Sequence, residues 1–470
     1  MPFHSFTYIA LFFPVTLLVF LWCRRFAGPV VSSLWLLISS LVFYAWGDPA
    51  SLPILVISII VNYSVGTYLQ KQAVSKKTSA YPVKLVFVAG LFFNILLLAF
   101  FKYAGFLVIN LNWVLQSDVR VPEIMLPLAV SFYTFQQISY LVDSYRGEIE
   151  NHGWLEYMTY TVFFPKLISG PITRYKELAP QLRCLSQEID YKNASIGIFL
   201  FFVGLLKVVT AARVFGTWAD KGFADTAALS LIDGWTISLS YTFQIYFDFS
   251  GYTDMAIGSA RFFNIQLPIN FDSPYHAANI QDFWRRWHIT LSRFLRDYLY
   301  FPLGGNRRGP FKTYANIIIT FLICGLWHGA SWMFITWGAL HGLGMVINRL
   351  WQKTKIQLPL LLSVFVTFNF VNIAWVFFRA ENMSQAIDVL KAMTGLGITS
   401  GVTILYGLPT SEIIIAIMAI IVLFFTPNSN QIPERFRPTG FAAVYLTAII
   451  LISLLFLNSS VSREFIYFDF

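Results

Sequence analysis

Charged side chains are scarce in this 470-residue chain: Asp, Glu, Lys and Arg make up 12% of it, against 57% hydrophobic residues. Soluble domains carry about 25% charged residues. The deficit excludes an ordinary water-soluble enzyme, and no polar block is long enough to form a separate soluble domain. Cysteine is nearly absent. Cys23, Cys184 and Cys324 lie far apart and form no CxxC pair, so neither a disulfide framework nor a zinc site is expected. The six histidines are scattered and make no HExxH; no metal site follows from them. The opening MPFHSF lacks the basic stretch of a secretory signal, and no small-residue cleavage site follows it. An uncleaved first helix is expected.

What the chain has instead is apolar runs. They cover residues 9–22, 30–46, 52–69, 85–101, 124–142, 194–209, 235–257, 313–328, 331–348, 358–378, 413–426 and 443–457. Many approach or exceed the ~18 residues of a spanning helix. Residues 106–115 are too short to place. The expected fold is all-α: a polytopic integral membrane protein of roughly 11–13 embedded helices, with re-entrant and amphipathic segments, forming one domain over residues 1–470. Basic clusters sit between pairs of runs: Arg24 and Arg25; Lys71, Lys76, Lys77 and Lys84; Arg307, Arg308 and Lys312; Arg349, Lys353 and Lys355; Arg435 and Arg437. All then fall on one face, as cytosolic loops require, and the N-terminus lies on the other. The net charge of +9 is read as this anchoring against membrane lipid, and not as nucleic-acid binding.

Polar residues inside such runs are the places to look for chemistry. Residues 165–178, PKLISGPITRYKEL, contain Pro165, Gly170 and Pro171, which break a helix. Non-helical backbone at membrane depth survives only when shielded, so a re-entrant or surface segment is expected. Lys166, Arg174 and Lys176 could hold a phosphate-bearing donor there, or could be snorkelling anchors. Residues 246–256, YFDFSGYTDMA, place Asp248, Ser250, Tyr252, Thr253 and Asp254 between apolar flanks. They are either a functional site or carboxylates satisfied by neighbouring helices.

Residues 279–337 organise the chain. Wound at about 100° per residue, 282–299 bring Asp282, Arg286, Arg293 and Asp297 within roughly 60° of one another. Arg285, Ser292 and Arg296 extend that polar arc. Trp284, Phe283, Trp287, Leu291, Phe294 and Leu295 lie opposite, and His288 lies at the boundary. Asp282–Arg286 and Arg293–Asp297 are i,i+4 pairs. Such a helix could lie in the interface, face a water-filled cavity, or bind an anionic donor through its arginines. The run 313–328 then covers about 24 Å as a helix and ends at Trp327-His328-Gly329. His328 is thus placed most of the way across a ~30 Å hydrocarbon core, towards the outer half, with His288 nearer the cytosol. A neutral imidazole suits removal of a proton from a hydroxyl; a core histidine bonded to a neighbouring helix is the alternative. His4, His152 and His276 look like loop or boundary residues. His341 sits inside 331–348 with no polar cluster around it and is not singled out.

Several long motifs carry a resemblance. FDFSGYTDMAIG, NFDSPYHAANIQDFWRRWHITLSRFLRDYLYFPLGGNRRG and GLWHGASWMFITWG, dense over residues 246–337, resemble the membrane-bound O-acyltransferases. SFYTFQQISYLVDSYRG and FPKLISGPITRY resemble its bacterial alginate O-acetylation branch, and the D-alanyl-lipoteichoic acid proteins are related. The resemblance implies a multi-pass protein of the bacterial inner membrane. It implies an acyl thioester such as acetyl-CoA as donor substrate, with no bound cofactor. The acceptor would be an exopolysaccharide hydroxyl, or a serine of a periplasmic acetyltransferase partner. The family's catalytic histidine matches His328 and its second functional histidine matches His288. With them we expect Asp248, Tyr252, Asp254, Asp282, Trp284, Arg285, Arg286 and Trp327 to bind substrate or line a channel. A transporter for a lipid-linked or anionic solute, and a scaffold for polysaccharide export, are the competing classes.

Overall fold

The computed structural model describes residues 1–75, 80–150, 152–185, 190–396, 408–431 and 439–458. Lys76, Lys77, Arg435 and Arg437 of the basic clusters lie outside the described residues. Among the described residues there are helices and no strands, as an all-α membrane protein requires, because a helix satisfies its backbone polar groups within itself. Seven helical segments among the described residues are long and apolar enough to cross a membrane: Thr7–Phe26, Pro29–Gly47, Leu52–Ala73, Pro82–Leu115, Tyr191–Phe223, Pro310–His328 and Leu360–Arg379. Thr410–Phe425 and Ala442–Asn458 are shorter apolar helices. Val130–Tyr145, Leu231–Arg261 and Trp332–Thr354 cover three more of the expected runs. Large apolar side chains such as Leu361 and Phe425 stand exposed, which suits lipid contact. Gly28 and Gly309 adopt positive φ immediately before Pro29 and Pro310, so each turn ends where proline can open a helix.

The chain divides into two compact units, one of Met1–Phe201 with Ala256–Pro268, the other of Phe202–Met255 with Ile269–Phe470. In the first, Tyr8 is fully buried and its hydroxyl bonds Ser259 Oγ at 2.8 Å. Asn62 and Asn94 exchange side-chain hydrogen bonds of 3.1 and 2.6 Å between two apolar helices. The proline-rich segment runs non-helically and buried over residues 168–173, shielded as its backbone demands, and the Thr173 carbonyl accepts from the Tyr160 hydroxyl at 3.0 Å. Lys166 does not snorkel. It is fully buried, donates to Gln136 Oε1 at 2.7 Å and sits 4.1 Å above the Tyr160 ring. Lys176 pairs with Glu148 at 2.5 Å.

In the second unit, Gly204 and Gly251 let two helices approach so closely that a Cβ on either would strike the other's carbonyl oxygen. That contact brings Lys207 Nζ to 2.6 Å from Asp254 Oδ2, and Ser429 Oγ donates to Oδ1 at 2.9 Å. Helices Pro310–His328 and Trp332–Thr354 form a hairpin of the same kind. A Cβ on Gly325 would collide with the Phe334 carbonyl oxygen, and one on Gly338 with that of Phe321.

Candidate active site

The charged stretch is not one helix. It folds as Ile280–Arg286 and Ile289–Leu295, followed by a π-helical turn Arg296–Tyr300. The amphipathic period is continuous across the break, but tertiary bonds override it. His288 takes a left-handed φ of 41°, uncommon for a residue with a Cβ, and an extended strap over residues 270–272 holds it there. Asp272 N–H donates to the Arg286 carbonyl at 2.9 Å, and Ile289 N–H donates to the Asn270 carbonyl at 2.9 Å. Asn270 Oδ1 accepts from Thr290 N–H at 3.3 Å and from the Thr290 hydroxyl at 3.0 Å. An atom receiving a backbone N–H must be the amide oxygen. His288 Nδ1, 3.0 Å from the same atom, is therefore the donor, which places the neutral ring's basic lone pair on Nε2. The expected Asp282–Arg286 pair forms at 3.0 Å, and Arg286 Nη1 also donates to the Asp272 carbonyl at 3.3 Å. Both residues thus stitch the break. Arg285 points elsewhere, into the cleft described below.

His328 is the last residue of its helix and is 2% exposed. Its ring centroid lies 4.9 Å from Trp327, 5.1 Å from Trp337 and 5.1 Å from Phe378. Trp327 is in turn 6.2 Å from His288. Both histidines therefore have a ring contact with the same indole. On its other side His288 meets Phe249 edge-on at 4.8 Å. This is how the Leu231–Arg261 helix reaches the site. Asp248 and Tyr252 are buried on that helix on either side of Phe249 in sequence, whereas Asp254 is engaged by Lys207 and Ser429.

His341, passed over in the sequence, belongs to this cluster. It is fully buried, and its Nδ1 accepts from Trp284 Nε1 at 3.2 Å. Its ring lies 4.7 Å from Trp337. Its own run holds no polar cluster; the hydrogen-bond partner, Trp284, comes from 57 positions earlier in the chain. The available signal was its i,i+4 spacing from Trp337, which puts both on the helix face that carries the cluster.

Trp284 also borders an open cleft of about 570 Å³, lined by Arg285, Arg293, Arg296, Arg349 and Asn306 among others. Arg296 is held by Asp297 at 2.7 Å, and Arg285, Arg293 and Arg349 add positive charge to the same lining, so the cleft suits a phosphate-bearing ligand. One tryptophan therefore belongs both to a basic cleft and to the imidazole–indole cluster containing His328.

The chain matches the model of the membrane-bound O-acyltransferase family over residues 128–383. It is 40% identical to the peptidoglycan O-acetyltransferase of Helicobacter pylori, over 100% of this chain and 97% of the relative. It is 39% identical to the probable alginate O-acetylase AlgI of Pseudomonas aeruginosa, over 84% of this chain and 75% of the relative. The teichoic acid D-alanyltransferase of Streptococcus thermophilus is 28% identical over 53% of this chain and 68% of its own length.

Proposed function

This chain belongs to the membrane-bound O-acyltransferase family, and from that premise we propose that it moves an acetyl group from a cytosolic thioester to a hydroxyl outside the cytoplasm, with His328 as general base. It is a multi-pass protein of the bacterial inner membrane. The relatives act on peptidoglycan and alginate, so the acceptor hydroxyl belongs to a cell-envelope or exported polysaccharide, or to a periplasmic partner that passes the acetyl group on to one. The donor is acetyl-CoA or another acyl thioester.

The observation that carries this reading is the placement of His288 and His328 against Trp327, beside a cleft with four arginines. Arg285, Arg293, Arg296 and Arg349 suit the donor's phosphates. The thioester end then passes Trp284 towards His328. The acceptor O–H gives its proton to His328 as its oxygen attacks the carbonyl carbon. The tetrahedral intermediate collapses, the C–S bond breaks, and the imidazolium returns the proton to the leaving sulfur. A positioned base of this kind contributes about 10²–10⁴ in rate. His288, with its lone pair on Nε2, orients a hydroxyl or relays the proton.

The test is transfer of labelled acetyl from acetyl-CoA to glycan by purified protein and by His328→Ala. Loss of transfer with retained folding supports the reading. A variant that transfers at the wild-type rate rules out His328 as the base. Solute flux that depends on His328, with no label transfer by either protein, would establish a transporter instead.

A further inference from the structure

Two buried N–H groups on adjacent rings, those of His341 and Trp337, find no acceptor among the described residues, and Trp337 lies against His328. The first follows from the tautomer of His341. An indole N–H donates and cannot accept. Trp284 Nε1 therefore donates to His341 Nδ1 across 3.2 Å, and the accepting nitrogen holds a lone pair. In the neutral ring the proton then sits on Nε2. His341 is fully buried and this Nε2 has no hydrogen-bond partner. The second group is Trp337 Nε1–H, also fully buried and also without a partner. The two rings lie 4.7 Å apart, and Trp337 lies 5.1 Å from His328. Their other ring neighbours, Phe283, Phe321, Phe370, Trp375 and Phe378, supply no acceptor, and Trp375 Nε1–H is a further buried donor without a partner, on a ring for which no contact with His328 is seen among the described residues. Buried donors are ordinarily satisfied. Two unsatisfied donors on adjacent rings, one of them touching the candidate base, mark a place for an oxygen that the chain itself does not provide.

We propose that Trp337 Nε1–H and His341 Nε2–H receive the carbonyl oxygen of the acyl thioester and hold the negative charge that develops on it during transfer. This rests on the reading of His328 as the base. As the acceptor oxygen bonds to the carbonyl carbon, the C=O π pair moves onto the carbonyl oxygen, where the two N–H groups bind it. When the pair returns, the C–S bond breaks and the thiolate leaves with the proton from His328. Donors fixed before the reaction stabilise such charge without reorganising. Trp284 acts one step removed, as a positioning residue. Its hydrogen bond keeps the His341 proton on Nε2, so the ring presents a donor and not a lone pair.

The experiment uses full-length protein in detergent, with acetyl-CoA and a glycan acceptor. Trp337→Phe keeps a ring and deletes its N–H; His341→Phe does the same for the imidazole. Each is expected to lower kcat by about 10²-fold with the donor KM little changed, the usual loss when one such donor is removed. A second readout separates this role from packing. A dithioester donor, with sulfur in place of the carbonyl oxygen, is a poorer hydrogen-bond acceptor, so wild-type protein should disfavour it. Trp337→Phe should lose much of that discrimination. The inference is overturned if Trp337→Phe and His341→Phe keep wild-type kcat, as they would if these donors bound only a fixed water. It is also overturned if kcat falls while the oxygen-over-sulfur preference stays at its wild-type value. Either result with an inactive His328→Ala leaves the base intact and removes only the carbonyl site. A fully active His328→Ala removes the base.

Discussion

Asn270 Oδ1 gathers three hydrogen bonds at the helix break, from His288, Thr290 N–H and the Thr290 hydroxyl. Asn270→Ala leaves these buried donors without their acceptor, at a cost of about 1–3 kcal/mol. It also frees the His288 ring to turn. We expect a lower unfolding midpoint in detergent and a fall in transfer rate larger than that loss of stability explains. Lys207 and Asp254 make the complementary case. Their side chains are 16% and 5% exposed, and Lys207→Met strands a buried carboxylate, destabilising the fold by about 3–5 kcal/mol. The double variant Lys207→Met with Asp254→Leu should recover much of this, measured by the same unfolding assay. Asp254 stood out in the sequence for its charge in an apolar run, and the structure gives that charge a cationic partner. His328 was legible because it closes an apolar run next to a glycine. His341 was not, because its partner Trp284 lies in another helix and no local window contains both.

At the level of elements, the hairpin of Pro310–His328 and Trp332–Thr354 depends on Gly325 and Gly338, where backbone meets backbone. Gly325→Ala must push the helices apart, and overpacking of this kind costs about 1–3 kcal/mol. Since His328 ends one helix while Trp337 and His341 ride on the other, the same shift pulls the cluster open. Transfer should drop by an order of magnitude or more in protein that still folds, read as kcat beside the thermal midpoint. Most long helices could be read from hydropathy alone, since a spanning helix announces itself by length. The broken charged helix could not. Its period from residue 282 to 299 is that of a single amphipathic helix, and the strap over 270–272 that breaks it lies outside that window. The buried non-helical segment at 168–173 was legible from Pro165, Gly170 and Pro171. The burial of Lys166 against Gln136 and Tyr160 was not, because both partners belong to other helices.

For the molecule as a whole, the proposed role of the basic cleft in gathering the donor makes a charge-dependent prediction. Arg285→Glu and Arg349→Glu should raise the KM for acetyl-CoA and leave kcat nearly unchanged. The wild-type KM should itself rise with salt, since ions screen charges near the surface. Arg286→Gln should act differently, through loss of its Asp282 and Asp272 contacts, lowering stability before donor affinity. If added salt leaves the wild-type KM unmoved, the arginines are not gripping phosphate. Trp284 carries one further consequence, because the same indole borders the cleft and touches the imidazole cluster. Shrinking it to alanine would remove the indole that stands between the open cleft and the buried ring cluster of His328. Water would then compete with the sugar hydroxyl for the activated acyl group, and the transferase would leak as a thioesterase. Free CoA should accumulate from Trp284→Ala even with no glycan present, a futile loss of acetyl that the intact wall prevents.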